Sequence, residues 1–121
     1  MTFPLISVAL GGALGAVLRF VLASALMRDG FPVAILTVNV LGSFSMGLAA
    51  VLLGKAGLAN VQPFLLTGVL GGFTTFSAFS LETLTLIERG TVGQAVFYVC
   101  LSVGLSLVAV ALGLFIARSL L

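Results

Sequence analysis

The chain has 121 residues, of which 61% are hydrophobic and 7% charged, and its net charge is +2. Soluble domains carry about 25% charged residues, so this composition argues against a water-soluble fold, and a positive charge this small and scattered against nucleic-acid binding. With no histidine and one cysteine, a histidine metal centre, a Ser-His-Asp triad and an intrachain disulfide are excluded.

The charges are Arg19, Arg28, Asp29, Lys55, Glu82, Glu88, Arg89 and Arg118. Residues 30–54, 56–81 and 90–117 carry none, and each run exceeds the ~20 residues a membrane-spanning helix needs. The expected fold is all-α and integral to the membrane, a single domain of four transmembrane helices. The first helix is expected over residues 4–27. Its opening "MTFPLISVAL" lacks a basic leader and a cleavage site, so it reads as a span rather than a signal peptide. It ends at "MRDGFP", where Asp-Gly followed by Pro32 marks a turn.

The second helix is expected over 32–53, closed by Gly54, Gly57 and Pro63; the third over 62–88; and the fourth over 92–117, after "ERGTVG". Short connections predict that sequential helices are antiparallel neighbours. Small residues four apart, Gly11/Gly15, Gly12/Ala16, Ser43/Gly47 and Gly68/Gly72, allow helix backbones to approach closely, although glycine is common in membrane helices generally.

Loop charge is balanced. An even number of spans puts Lys55 and Arg118 on one side and Arg28 and Arg89 on the other. Cations near cytoplasmic ends normally set topology, so this balance predicts weak orientation and insertion both ways, unless something other than loop charge decides it. If both orientations occur, the natural assembly is an antiparallel homodimer with its two-fold axis in the membrane plane. A chain this small encloses little alone, so a polar pathway is expected between copies.

Polar groups at membrane depth usually face protein or water. Asn39 is the only intramembrane amide and carries two N–H donors, suited to an anion or to an interhelical hydrogen bond. Ser102 and Ser106 share a helix face, and Ser77 and Ser80 nearly do; each pair is a polar track or a set of hydroxyls bonded to their own helix. Glu82 is a proton-linked carboxylate, a pore-mouth residue or a partner for Arg19, which otherwise attracts anions or snorkels. "GGFTTF", residues 71–76, is poor helix material. A helix break there frees backbone carbonyls, which are ready ligands for Na⁺. Phe76 and Phe79 follow at i, i+3, and the positive edges of phenyl rings can meet an anion.

These segments resemble the Fluc (CrcB-type) fluoride channel family. "GGALGAVLRF" at 11–20, "VNVLGSFSMG" at 38–47 and "GGFTTFSAFSLE" at 71–82 are similar to its three signatures, in its order. The resemblance implies a dual-topology antiparallel dimer with two fluoride pathways, in the bacterial plasma membrane. It implies that Asn39 is the pore asparagine and that Phe76 and Phe79 line the ion path. Ser77, Ser80 and Glu82 would continue that path, with Tyr98, Ser102 and Ser106 on the fourth helix. Arg19 matches the arginine closing the first signature. The carbonyls of Gly71 and Thr74, from both copies, would hold a central structural Na⁺. The sequence departs from the family at Ile35, where Thr is frequent, and at Ala78, where Thr or Ser is frequent. Competing readings are a small multidrug exporter, which needs a carboxylate deep in the first helix, and an accessory subunit that transports nothing. A membrane enzyme is the weakest case, since one carboxylate lies at membrane depth.

Overall fold

The computed structural model describes residues 2–121, and all regular structure among them is helical. Four helical stretches are long and apolar enough to cross a membrane: Thr2–Leu26, Val33–Lys55, Ala59–Glu88 and Val92–Leu120. We call α1 Thr2–Leu26 and α2 Val33–Lys55. The third span is composite. A short 3₁₀ turn, Ala59–Val61, leads into a π-helical segment, Pro63–Leu70, with the proline at its start, where a missing N–H costs nothing. One α-turn follows, α3 (Gly71–Phe73), and after an interruption α4 (Ser77–Glu88) completes the span. The fourth span is α5, Val92–Leu120.

Two glycines end helices by the same device. Gly57 and Gly90 have φ of +70° and +83°, a left-handed backbone that costs glycine nothing. After Gly57, Leu58 N–H bonds to Leu53 O at 3.0 Å; after Gly90, Thr91 N–H bonds to Leu86 O at 3.0 Å. Each six-residue loop satisfies carbonyls that a helix end leaves open.

The closest packing is not between sequential spans. α1 packs mainly on the third span, and α2 mainly on α5. Glycine decides this. A Cβ on Gly11 would run into Phe64 O and lie 3.0 Å from Gly68 Cα, and one on Gly15 would run into Val69 O and lie 2.9 Å from Phe73 N. At the other seam, a Cβ on Gly113 would run into Phe44 O and lie 2.9 Å from Leu48 N, and Gly47 meets Val110 and Leu114 in the same way. Backbone touches backbone at both seams, which only glycine permits. Short turns constrain sequential spans to be near one another; the glycines bring alternate spans into contact.

The buried centre lies toward one end of the bundle, where Ile35, Phe79, Leu86, Ala95 and Tyr98 pack together. Elsewhere the outside is strongly apolar: Phe20 is 72% and Phe115 68% exposed. Such a surface requires an apolar solvent or a partner, in keeping with four helices of membrane-spanning character.

Candidate functional site

The site is built around the interruption in the third span. Thr74 is extended, with φ −83° and ψ 157°, and regular α-helix resumes at Ser77. Side chains from two neighbouring helices take up the backbone groups exposed there. From α2, Asn39 Oδ1 accepts the Thr75 N–H at 2.8 Å, and its Nδ2 donates to Thr75 O at 2.9 Å. The amide therefore pairs with one residue's N–H and C=O as a neighbouring strand would. From α1, Arg19 Nε donates to Gly72 O at 3.2 Å. Thr75 Oγ1 accepts the Ala78 N–H at 3.1 Å, closing the start of α4. Gly42 on α2 makes room: a Cβ there would strike the Thr74 methyl and lie 3.2 Å from the Phe73 ring.

A groove of about 410 Å³ opens beside the interruption. Asn39, Ser43 and Met46 form one wall from α2, Thr75, Phe76 and Phe79 the middle, and Ser102 and Ser106 the wall from α5. Its surface is mostly apolar, with few polar atoms, the usual character of a site that orients a ligand through a small number of donors. One Asn39 N–H remains after the bond to Thr75, since the amide carries two. Ser102 is buried, and its Oγ has no hydrogen-bond partner in the protein. Among the described residues it is the one buried side-chain oxygen or nitrogen without a partner. Thr37, Thr74, Ser80, Thr83, Thr85 and Ser119 each donate back to the carbonyl four residues earlier. Ser102 does not, and it faces the groove.

Beyond the groove the line continues through aromatic rings. Phe76 and Phe79 have centroids 5.4 Å apart, Phe79 and Tyr98 5.2 Å, and Tyr98 meets Phe31 edge-on at 5.6 Å. Phe76 is 77% exposed while Phe79 is 8% exposed, so the two neighbours present different faces to whatever fills the groove. Tyr98 is fully buried, and its hydroxyl donates to Glu82 Oε2 at 3.1 Å. Glu82 in turn lines a second cavity of about 490 Å³ at the end of the bundle, with Arg28, Asp29, Thr85 and Arg89. Groove, rings, carboxylate and end cavity follow one another along α4, while α5 contributes Ser102 and Ser106 to the groove and Tyr98 to the rings.

The structure thus brings Asn39, Phe76, Phe79, Ser102 and Ser106 together in one groove. Tyr98 and Glu82 stand beyond it, linked to each other. Ser77 lies 3.3 Å from Thr75 Oγ1, and the Ser80 hydroxyl is turned back to Phe76 O, so neither lines the groove wall. Arg19 is bonded to the backbone of the third span rather than to Glu82. Gly71 and Thr74 flank the interruption, their carbonyls without the helical donors a continuous helix would provide. Several contributors were given no site role from sequence, among them Thr75, which bonds Asn39 and lines the groove, Ser43 and Phe31. Ser43 sits four residues after Asn39, a spacing that puts both on one helix face and was available as a signal. Phe31 lies in a turn, and no pattern in the sequence ties it to Tyr98.

Among the described residues no group of three or more His, Cys, Asp or Glu side chains is placed to hold a metal. A cation here would be held by backbone oxygens.

Comparison with known proteins bears on the whole length. The family described as "CrcB-like protein, Camphor Resistance (CrcB)" matches residues 6–114. A protein of Ruegeria sp. (strain TM1040) named "Fluoride-specific ion channel FluC" is 53% identical over 125 aligned residues, covering 100% of this chain and 99% of the relative. A protein of Roseobacter denitrificans with the same name is 56% identical over 119 residues, covering 94% of each. The protein of that name from Agrobacterium fabrum is 45% identical over 118 residues, covering 93% of this chain and 94% of its own length. A match through all four spans, at this identity and with near-equal lengths, means that the chain belongs to the CrcB-like family.

Proposed function

We propose that the chain is a fluoride-selective channel through which cytoplasmic fluoride leaves the cell passively, reducing fluoride toxicity. The groove carries this reading. It gathers Asn39, with one N–H uncommitted, Ser102, with an unpartnered hydroxyl, and the rings of Phe76 and Phe79 in an otherwise apolar cleft. Donors and ring edges without a fixed positive charge suit a small anion that must exchange hydration water for protein contacts and still be released. The relatives' shared name supports fluoride as that anion. Fluoride is trapped inside cells because HF crosses membranes and ionises within; a negative-inside potential drives the ion outward through any selective leak.

The path we assign runs from the groove, past Phe79 and Tyr98, to Glu82 and the end cavity. Asn39, Ser102 and Ser106 donate to the ion, Phe76 and Phe79 offer ring edges, and Tyr98 fixes the carboxylate of Glu82. Ser77 and Ser80 border this path, and Arg19, beside the interruption, attracts anions toward it. No bond is made or broken, so the protein is not an enzyme.

The working unit in this reading is an antiparallel dimer of oppositely inserted copies in a bacterial inner membrane, with one pathway per groove. Balanced loop charge favours it, and so does the exposed apolar surface around α1 and Phe76. The carbonyls of Gly71 and Thr74 from both copies would hold Na⁺, a hard cation that takes oxygen ligands and, when bound, supplies a fixed positive charge between the two interrupted helices. The multidrug-exporter alternative is disfavoured because α1 contains no Asp or Glu.

Efflux from liposomes containing only this protein tests the function. Fluoride should leave rapidly; no fluoride efflux from vesicles with demonstrated protein incorporation would overturn it. Phe76→Ile and Asn39→Asp should abolish flux while the dimer still assembles, and undiminished flux in both would place the path elsewhere. A terminal tag that is accessible from one face only, in cells, would rule out dual insertion.

A further inference from the structure

In a continuous α-helix the N–H of residue i+4 closes on the carbonyl of residue i. At the interruption two such donors are taken by side chains instead. The Thr75 N–H, the helical partner of Gly71 O, goes to Asn39 Oδ1 at 2.8 Å. The Ala78 N–H, the helical partner of Thr74 O, goes to Thr75 Oγ1 at 3.1 Å. Nearby hydroxyls do something different: Thr74 Oγ1 and Ser80 Oγ act as donors to carbonyls and take no N–H away. Between Gly71 and Thr74, Gly72 O is bonded by Arg19 Nε. Of the four carbonyls from Gly71 to Thr74, those of Gly71 and Thr74 are the two whose helical donor is taken by a side chain.

We propose that Thr75, through its hydroxyl, and Asn39, through its amide oxygen, are positioning residues for a cation site: they hold the Gly71 and Thr74 carbonyls free of backbone donors. This rests on the reading, made above, that these carbonyls bind Na⁺. The donor set fits that ion, since it is made of neutral oxygens at a helix interruption, the kind of ligand Na⁺ takes at membrane depth. Asn39 also lines the groove, so the groove and the cation site share a residue. Loss of either diverting atom leaves an N–H without its acceptor and removes a restraint on the extended Thr74; return of Thr74 to helical ψ then closes that N–H on its helical carbonyl, where it competes with the cation for the oxygen lone pairs.

The experiment is Na⁺-dependent thermal stabilisation of the full-length protein in detergent, titrated against a large organic cation at constant ionic strength. It reads binding and does not depend on flux. The native protein should gain melting temperature with Na⁺ along a saturating curve. Thr75→Val keeps the branched shape and loses the acceptor, and its half-saturating Na⁺ should rise about tenfold, the effect of one hydrogen bond's ~1.4 kcal/mol. Thr75→Ser, which keeps the hydroxyl, should return to within about twofold of the native value. Asn39→Ala tests the other diversion and should also raise the half-saturation, so one variant's failure to assemble does not leave the matter open. If Thr75→Val and Asn39→Ala, or whichever of them assembles, titrate like the native protein, the positioning role is wrong while the cation site stands. If the native protein itself shows no Na⁺ response, the cation site fails, and this inference with it.

Discussion

Replacing Ser102 with alanine should separate stability from transport. Most substitutions that remove a buried hydrogen-bonding group destabilise a protein, because its partner is left unsatisfied at a cost of about 1–3 kcal/mol. Ser102 is 6% exposed, but its Oγ has no partner in the protein to orphan. The change removes one oxygen atom from a groove wall, so the cavity term is small. It also removes a desolvated hydroxyl whose burial itself opposes folding. Ser102→Ala should therefore leave thermal stability in detergent unchanged or raised, by up to about 1 kcal/mol. Transport moves the other way. A hydroxyl donating to an anion contributes about 1.5–3 kcal/mol, so its loss should lower fluoride flux roughly ten- to hundredfold at limiting ion concentration, at 1.4 kcal/mol per decade. The assays are a melting curve on the purified protein and fluoride efflux from liposomes, run on the same preparation. A fall in stability of more than about 1 kcal/mol would mean that the hydroxyl has a structural partner. Native flux together with native stability would mean that Ser102 does not touch the ion. Either result refutes the argument from the unpartnered hydroxyl.

Two further substitutions test the packing. Gly113→Val should destabilise the protein by about 1–3 kcal/mol or more, because its Cβ would press on Phe44 O and the Leu48 N–H, which are backbone atoms of α2 with little freedom to yield. Gly104→Ala on the same helix is the control: nothing lies within 4 Å of its added Cβ, so helix propensity should leave it neutral or stabilised by up to about 1 kcal/mol. Loss of monodispersity on heating reads both, and equal behaviour of the two would remove the case for a backbone-to-backbone seam. Tyr98→Phe keeps the ring between Phe79 and Phe31 and deletes only the bond to Glu82, so it should cost about 0.6 kcal/mol, the average for hydrogen bonds between membrane helices. A loss of several kcal/mol in the melting curve would show that the hydroxyl holds more than this carboxylate.

The spans were legible in the sequence because bilayer thickness is a length criterion, and three charge-free runs meet it without reference to contacts. The helix ends at Gly57 and Gly90 were legible for a local reason, since the left-handed backbone there strongly favours glycine. Pairing of the spans was not legible. Short turns suggested sequential neighbours, yet Gly11 and Gly15 face the third span and Gly47 faces α5. A glycine's spacing shows that close approach is possible and carries no information about which helix approaches.

The candidate site divides in the same way. Asn39 stood out as the one amide at membrane depth, and the sequence left its role open between an anion and another helix. The fold gives its oxygen and one N–H to Thr75 and leaves the second N–H over. Ser80 and Ser102 looked alike as half of a serine pair each. Tertiary packing set one against its own helix and the other, without a partner, in the groove.

By itself, then, the sequence determined what depends on one residue and its near neighbours along the chain: an apolar four-span protein, glycine-closed helix ends, and a segment at Gly71–Thr75 unsuited to regular helix. Only the tertiary structure decided which donors close on which carbonyls and which hydroxyl lies without a partner. Those outcomes depend on the meeting of α1, α2 and α5 with the third span, and the atoms that meet there are dozens of residues apart, as Asn39 is from Thr75 and Arg19 from Gly72.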